Sequence, residues 1–261
     1  MVAVSLKKPY SNTSAARKVA KHRKQKQDAV RGKVFTKISK EIFAAVKNGG
    51  ADPASNLRLR AALTKAKEAN MPNDNIERTI KKALGDVEGI VYEEVTYEGY
   101  GPGGVAVLVE VLTDNKNRSA AEVRHAFTKN GGNLGETGCV SYLFDRKGLF
   151  VIKQKETSVS EDDLMMAAID AGAEEFDVTD DSYEITTTPE QFDSVKQSLE
   201  QLGVTFETAE VTMIPQTTMQ LSDEDAEKMV KLIDMLEEND DVQNVYHNFD
   251  ISDEQMERLY K

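Results

Sequence analysis

Between Gln27 and Lys47 apolar residues return every three or four positions, at Val34, Ile38, Ile42 and Ala45, with Lys33, Lys37 and Lys40 on other faces. That period predicts an amphipathic helix, and Asn48-Gly49-Gly50 supplies residues suited to a left-handed stop. Pro53 opens a second predicted helix whose inner stripe is Leu59, Ala62, Leu63 and Ala66, and Met71-Pro72 breaks it. A third carries Ile76, Ile80, Ala83 and Leu84 and stops at Gly85. Three short amphipathic helices with tight connections read as a small helical domain.

The pattern changes after Gly89. Tyr92 to Glu98 and Val105 to Leu112 are rich in Val, Tyr and Thr and predict two strands, with Gly99-Tyr100-Gly101-Pro102-Gly103-Gly104 as the loop of a hairpin. A helix over 118–129 follows, with Ser119 and Glu122 at the spacing of a capping box, and Cys139 to Phe144 reads as the next strand. From Gly148 the order becomes strand, helix, strand, strand, helix, strand. Its elements are Leu149–Lys153, Ser160–Ala171, Phe176–Val178, Tyr183–Thr187, a helix opened by Thr188-Pro189-Glu190-Gln191, and Val204–Glu207. That order is a split βαβ, ferredoxin-like unit. A strand near Val211–Pro215, a helix from Ser222 to about Glu238 and a strand over Val242–Phe249 close the chain, and are expected to complete the sheet begun at Tyr92. The expected architecture is α+β in three domains. Residues 1–85 are helical and basic, with 1–27 as a basic arm; 86–145 and 208–261 form a middle α+β domain; 146–207 form the inserted ferredoxin-like domain.

Charge sharpens this division. Residues 1–85 hold 20 Lys+Arg against 6 Asp+Glu, a balance of +14, whereas the remainder holds 13 against 39, a balance of −26 that restores the chain's −12. A basic end on an acidic protein points to a polyanion, because Lys and Arg beside phosphates release condensed counterions. The run Lys21, His22, Arg23, Lys24 and Lys26, continued by Arg31, Lys33, Lys37 and Lys40, is therefore the candidate nucleic-acid-binding set. The same residues could instead be a solvated helix face. The acid-free stretch 1–27 also partly resembles an organellar transit peptide, which would place the protein in mitochondria, but it lacks a convincing apolar face. The lone Cys139 suits a reducing compartment, and a cytoplasmic location is expected.

Other chemistry is thinly represented. The Gly99–Gly104 loop leads into a strand, whereas a Walker loop or a dinucleotide fingerprint must open a helix, so its glycines read as turn residues. His22, His125 and His247 lie far apart, with no HExxH pair and no Cys/His cluster, and no GxSxG elbow is present. Paired carboxylates such as Asp180-Asp181 and Asp240-Asp241 read mostly as solvated faces. Neither a catalytic residue nor a metal or cofactor is expected, and no apolar run reaches the length of a membrane span.

Seven segments in order then resemble the YebC/PmpR family. They are Lys21-His22-Arg23-Lys24-Gln25, Arg31-Gly32-Lys33-Val34-Phe35-Thr36-Lys37, Gly49-Gly50-Ala51-Asp52-Pro53, Asn70-Met71-Pro72 with Asn75-Ile76-Glu77-Arg78, Tyr97 to Gly104, Asn130-Gly131-Gly132-Asn133-Leu134-Gly135, and Asp241-Val242-Gln243-Asn244-Val245-Tyr246-His247-Asn248. The resemblance implies a three-domain protein, with a helical N-terminal domain and two α+β domains; separately, no enzymatic activity is expected of the chain. The resemblance further implies either a DNA-binding transcriptional regulator or a ribosome-associated factor, like the mitochondrial translational activator of cytochrome oxidase, that binds ribosomal RNA and assists difficult segments such as proline runs. One departure stands out: where the family carries Gly-His-Ser-Lys-Trp, this chain has Ser11-Asn12-Thr13-Ser14-Ala15-Ala16-Arg17-Lys18 and no Trp.

Overall fold

The computed structural model describes residues 27–85 and 89–259. Three helices open it: α1 (Gln27–Gly49), α2 (Leu57–Glu68) and α3 (Asn73–Leu84). α1 buries Ile38, Ile42, Phe43, Ala45 and Val46, and both α2 and α3 pack on that face through Leu59, Ala62, Ala66, Ile76 and Ala83. Val34, expected inside, is exposed because the buried stripe begins one turn later. Pro53 does not start α2. Asn56 does: its Oδ1 accepts the Leu59 N–H at 3.0 Å, while its buried Nδ2 donates to the Ala45 and Gly50 carbonyls, so one amide both caps α2 and ties it to the end of α1.

The next elements build an antiparallel sheet in the order β3-β1-β2-β9, with β1 (Glu93–Tyr100), β2 (Ala106–Thr113), β3 (Asn133–Leu134) and β9 (Val242–His247). Val105, Val107, Val109 and Val111 line its inner face. Against them lie Val123, Ala126 and Phe127 of α4 (Lys116–Lys129) and Met229, Leu232, Ile233 and Leu236 of α7 (Asp223–Glu237). The hairpin loop turns through Gly103 and Gly104, both at positive φ. Asn115, not Ser119, caps α4: its side chain accepts the Arg118 N–H at 3.1 Å, which releases Ser119 to a buried role described below. Cys139–Leu143 is a turn followed by a short 3₁₀ segment, not a strand.

Residues 144–216 form a separate compact unit. Its order is β4 (Phe144–Lys153), α5 (Glu161–Asp170), β5 (Ala173–Val178), β6 (Ser182–Thr187), α6 (Phe192–Gln201) and β7 (Thr208–Pro215). The sheet order β5-β6-β4-β7, all antiparallel, is the ferredoxin-like arrangement. The expected boundary at 207 moves. Val204–Glu207 is not a strand, and the segment assigned to the middle sheet pairs instead with β4 over eight residues, from Phe144↔Pro215 to Val151↔Thr208. The reason is length: ten-residue β4 leaves an edge that a strand of three or four residues would not cover. Phe150, Ile152, Leu164, Ile185, Val195 and Leu199 fill this unit's own core. After it come β8 (Met219–Gln220), α7, β9, β10 (Phe249–Asp250) and a last helix, α8 (Asp253–Leu259); β8 and β10 form a small parallel pair.

Candidate nucleic-acid interface

The structure sorts the basic candidates into three groups. Lys21, His22, Arg23, Lys24 and Lys26 lie outside the described residues, and of Arg31 only the helical backbone is described. Lys33, Lys37 and Lys40 stand at i, i+4 and i+7 on α1, which places their ammonium groups in one row. That row meets the C-terminus of α7. A helix end carries carbonyls without intrahelical partners and a partial negative charge. Lys33 Nζ donates to the Glu238 carbonyl at 3.1 Å, Lys37 Nζ to that of Glu237 at 3.0 Å and Lys40 Nζ to that of Asp240 at 2.9 Å.

Lys40 goes further and pairs with the Asp241 carboxylate at 2.5 Å. Asp241 is buried, at 4% exposure, and both of its oxygens are occupied. Oδ1 faces Lys40; Oδ2 accepts from Arg118 at 2.7 Å, Ser119 Oγ at 2.8 Å and Thr113 Oγ1 at 3.0 Å. Burial alone would push this carboxyl up, but the hydrogen bonds from Arg118, Lys40 and Ser119 hold it down at about 2. The Arg118 guanidinium, bonded to Asp241 and Asp114, is correspondingly harder to deprotonate. Lys37 is displaced the other way: burial lowers its ammonium pKa, and Glu237 and Asp240 only partly offset that.

Lys33, Lys37 and Lys40, expected to face phosphates, thus lie against a protein partner in this structure. Their heads lie against a helix terminus surrounded by Glu237, Glu238, Asp240 and Asp241, a local field that repels a polyanion. Asp240-Asp241, grouped from sequence with the carboxylate pairs of solvated faces, is in its second member the buried centre of this junction. The only signal for that was its place in the Asp241–Asn248 motif. Nearby, Glu122, His125, Met235, Leu236, Glu238 and Asn239 line a shallow cavity of about 230 Å³, where Asn239 Nδ2 holds the Glu122 carboxylate at 2.7 Å.

A second buried carboxylate organises the loop after β3. Glu98, in the Tyr97–Gly104 segment, accepts the backbone N–H groups of Gly138 at 2.8 Å, Val140 at 2.9 Å and Ser141 at 2.8 Å. Burial raises its carboxyl, and these three donors more than reverse the effect, leaving it below the usual range. Tyr100 donates its hydroxyl to the Cys139 carbonyl at 2.9 Å and stiffens the same loop. This arrangement is architectural. It shapes a turn through three backbone donors.

The comparisons with known proteins agree with this fold along most of the chain. Residues 16–86 match the family described as the TACO1/YebC protein N-terminal domain, and residues 92–249 match the TACO1/YebC second and third domain. The chain belongs to the TACO1/YebC family. Relatives in that family include a "Probable transcriptional regulatory protein" of Geobacillus thermodenitrificans, 64% identical over 230 residues, covering 88% of this chain and 93% of that one. One of the same name in Desulforamulus reducens is 57% identical over 88% of this chain and 95% of that one. The crystal structure of a conserved hypothetical protein from Aquifex aeolicus is similar with a TM-score of 0.75 at 52% identity, over 87% of this chain and 93% of that chain. Charge in this TACO1/YebC protein follows the units closely. Residues 144–216 hold 5 Lys+Arg against 17 Asp+Glu, which equals the whole formal charge of −12, so the other residues, 28 against 28, sum to zero.

Proposed function

We propose that this protein is a non-enzymatic regulator that binds nucleic acid through its helical N-terminal region, with duplex DNA as its target. The observation that carries the reading is the segregation of charge. A region with 20 bases against 6 acids shares a chain with an inserted unit of −12. Phosphates are drawn to the first and repelled by the second. The relatives' names, probable transcriptional regulatory proteins, support regulation through DNA. Recognition of this kind works on the backbone, so affinity is expected to be steeply salt-dependent and weakly sequence-specific.

The deciding experiment sets binding to duplex DNA beside co-sedimentation with ribosomes, each at low and high salt. DNA binding at physiological salt with ribosomes released supports the reading. Preferential retention on ribosomes would transfer the same basic region to ribosomal RNA and make the protein a translation factor. Binding to neither would end the nucleic-acid reading.

A further inference from the structure

Sorting the cations of α1, α2 and α3 by partner leaves a short remainder. Lys33, Lys37 and Lys40 are engaged by the end of α7. Arg58 pairs with Glu94, Lys65 with Glu41 at 3.1 Å, and Lys81 with Glu77 at 3.8 Å. Lys47 also has an interaction. Arg60 and Lys67 on α2 and Arg78 and Lys82 on α3 are exposed and have no ion pair among the described residues. Of the region's described acids, Glu41 and Glu77 are paired with lysines, which leaves Asp52, Glu68 and Asp74 against these four.

We infer that Arg60, Lys67, Arg78 and Lys82, and not the α1 lysines, are the phosphate contacts of the folded helical region. The inference rests on the nucleic-acid reading above and assigns its site. A cation without an internal partner meets phosphate, and displaces its condensed counterions, at no cost in lost contacts. An ammonium bonded to a carbonyl and facing carboxylates must give up those contacts first. The four exposed cations need not.

Their spacing also suits a polyphosphate. Arg60 and Lys67 are seven residues apart on α2, two helical turns or about 10.5 Å along the axis, and Arg78 and Lys82 are one turn apart, about 6 Å. A duplex carries a charge about every 1.7 Å of axis, so each pair finds phosphates without a particular register. The opposite faces of α2 and α3 are occupied by Leu59, Ala62, Ala66, Ile76 and Ala83 in the helical core, which fixes the outward direction of the cations.

The test compares full-length wild type, the quadruple variant R60Q/K67Q/R78Q/K82Q and the triple variant K33Q/K37Q/K40Q. Each is titrated with mixed-sequence duplex DNA and with single-stranded RNA at several salt concentrations between roughly 50 and 200 mM. For the quadruple variant, the slope of log affinity against log salt is expected to shrink by about 3.6 on duplex and about 2.8 on single strands, with affinity at 0.1 M salt down by about three orders of magnitude. For the triple variant the slope is expected to stay at the wild-type value. Gln is a good helix former at exposed positions, and wild-type circular dichroism spectra confirm folding of both variants; because K40Q breaks the buried pair with Asp241, K33Q/K37Q, which keeps that pair, stands in for the triple variant should its spectrum change. Should the quadruple variant's spectrum change, the pair variants R60Q/K67Q and R78Q/K82Q each carry half of the expected slope change. A quadruple variant that binds like wild type, or a triple variant that takes the whole loss, overturns the inference while leaving the nucleic-acid reading intact. Wild type that binds neither probe removes that reading, and the inference with it.

Discussion

Replacing Asp241 by Asn changes one oxygen to an amide and leaves the shape of the side chain alone, so it isolates the charge at the junction of α1, α4 and α7. Both carboxylate oxygens accept from donors, Lys40 on one and Arg118, Ser119 and Thr113 on the other. Whichever way the amide turns, its NH₂ faces a donor, and Lys40, with a side chain only 15% exposed, loses its counter-charge. The carboxyl held at about 2 in the folded state, against an ordinary value of about 3.9, corresponds to stabilisation on the order of 2 kcal/mol. Removing one partner of a fully buried pair typically costs about 3–5 kcal/mol, but Arg118 is 43% exposed and recovers some hydration, so D241N is expected to destabilise by about 3 kcal/mol.

Because the folded pKa is depressed, this stabilisation is fully present above about pH 4 and is lost as pH falls toward about 2. The assay is amide hydrogen exchange at Leu112, whose N–H bonds the Asp241 carbonyl at 2.8 Å, beside urea denaturation. Wild type is expected to lose protection there between about pH 4 and 2, and D241N to start low and change less over that range. Equal protection in the two proteins at neutral pH, or parallel pH curves, refutes the reasoning.

Three further outcomes are expected. E98Q puts an amide against three backbone donors and should raise exchange rates at Gly138, Val140 and Ser141, with a local cost of about 2–3 kcal/mol and little effect on the exchange of β6. G103A requires φ of +68° from a residue with a Cβ that would lie 2.3 Å from Leu221 Cδ2, and should lower the urea midpoint well beyond G50A, whose Cβ meets open space at a similar φ. N56A removes a buried amide that serves three backbone groups, and should cost about 2–3 kcal/mol, read by loss of helical circular dichroism at lower urea.

Some of this was written in the pattern of residues alone. The spacing of Ile38, Ile42 and Ala45, the helix starts at Ser160, Thr188 and Ser222, and the order of elements after Gly148 identify helices, strands and the ferredoxin-like unit, because those signals depend on neighbours within a turn or two. The basic and acidic halves are equally plain, since counting charge needs no coordinates. What the sequence could not determine is which groups meet across the chain. Thr208–Pro215 carries an ordinary strand pattern, and only the free edge of β4 decides that it joins the inserted sheet. Lys33, Lys37 and Lys40 look like any solvated basic stripe until the end of α7, about 200 residues away, supplies unpaired carbonyls and the Asp241 carboxylate. A local period records which side of a helix is polar, whereas the partner that neutralises that side is chosen by packing.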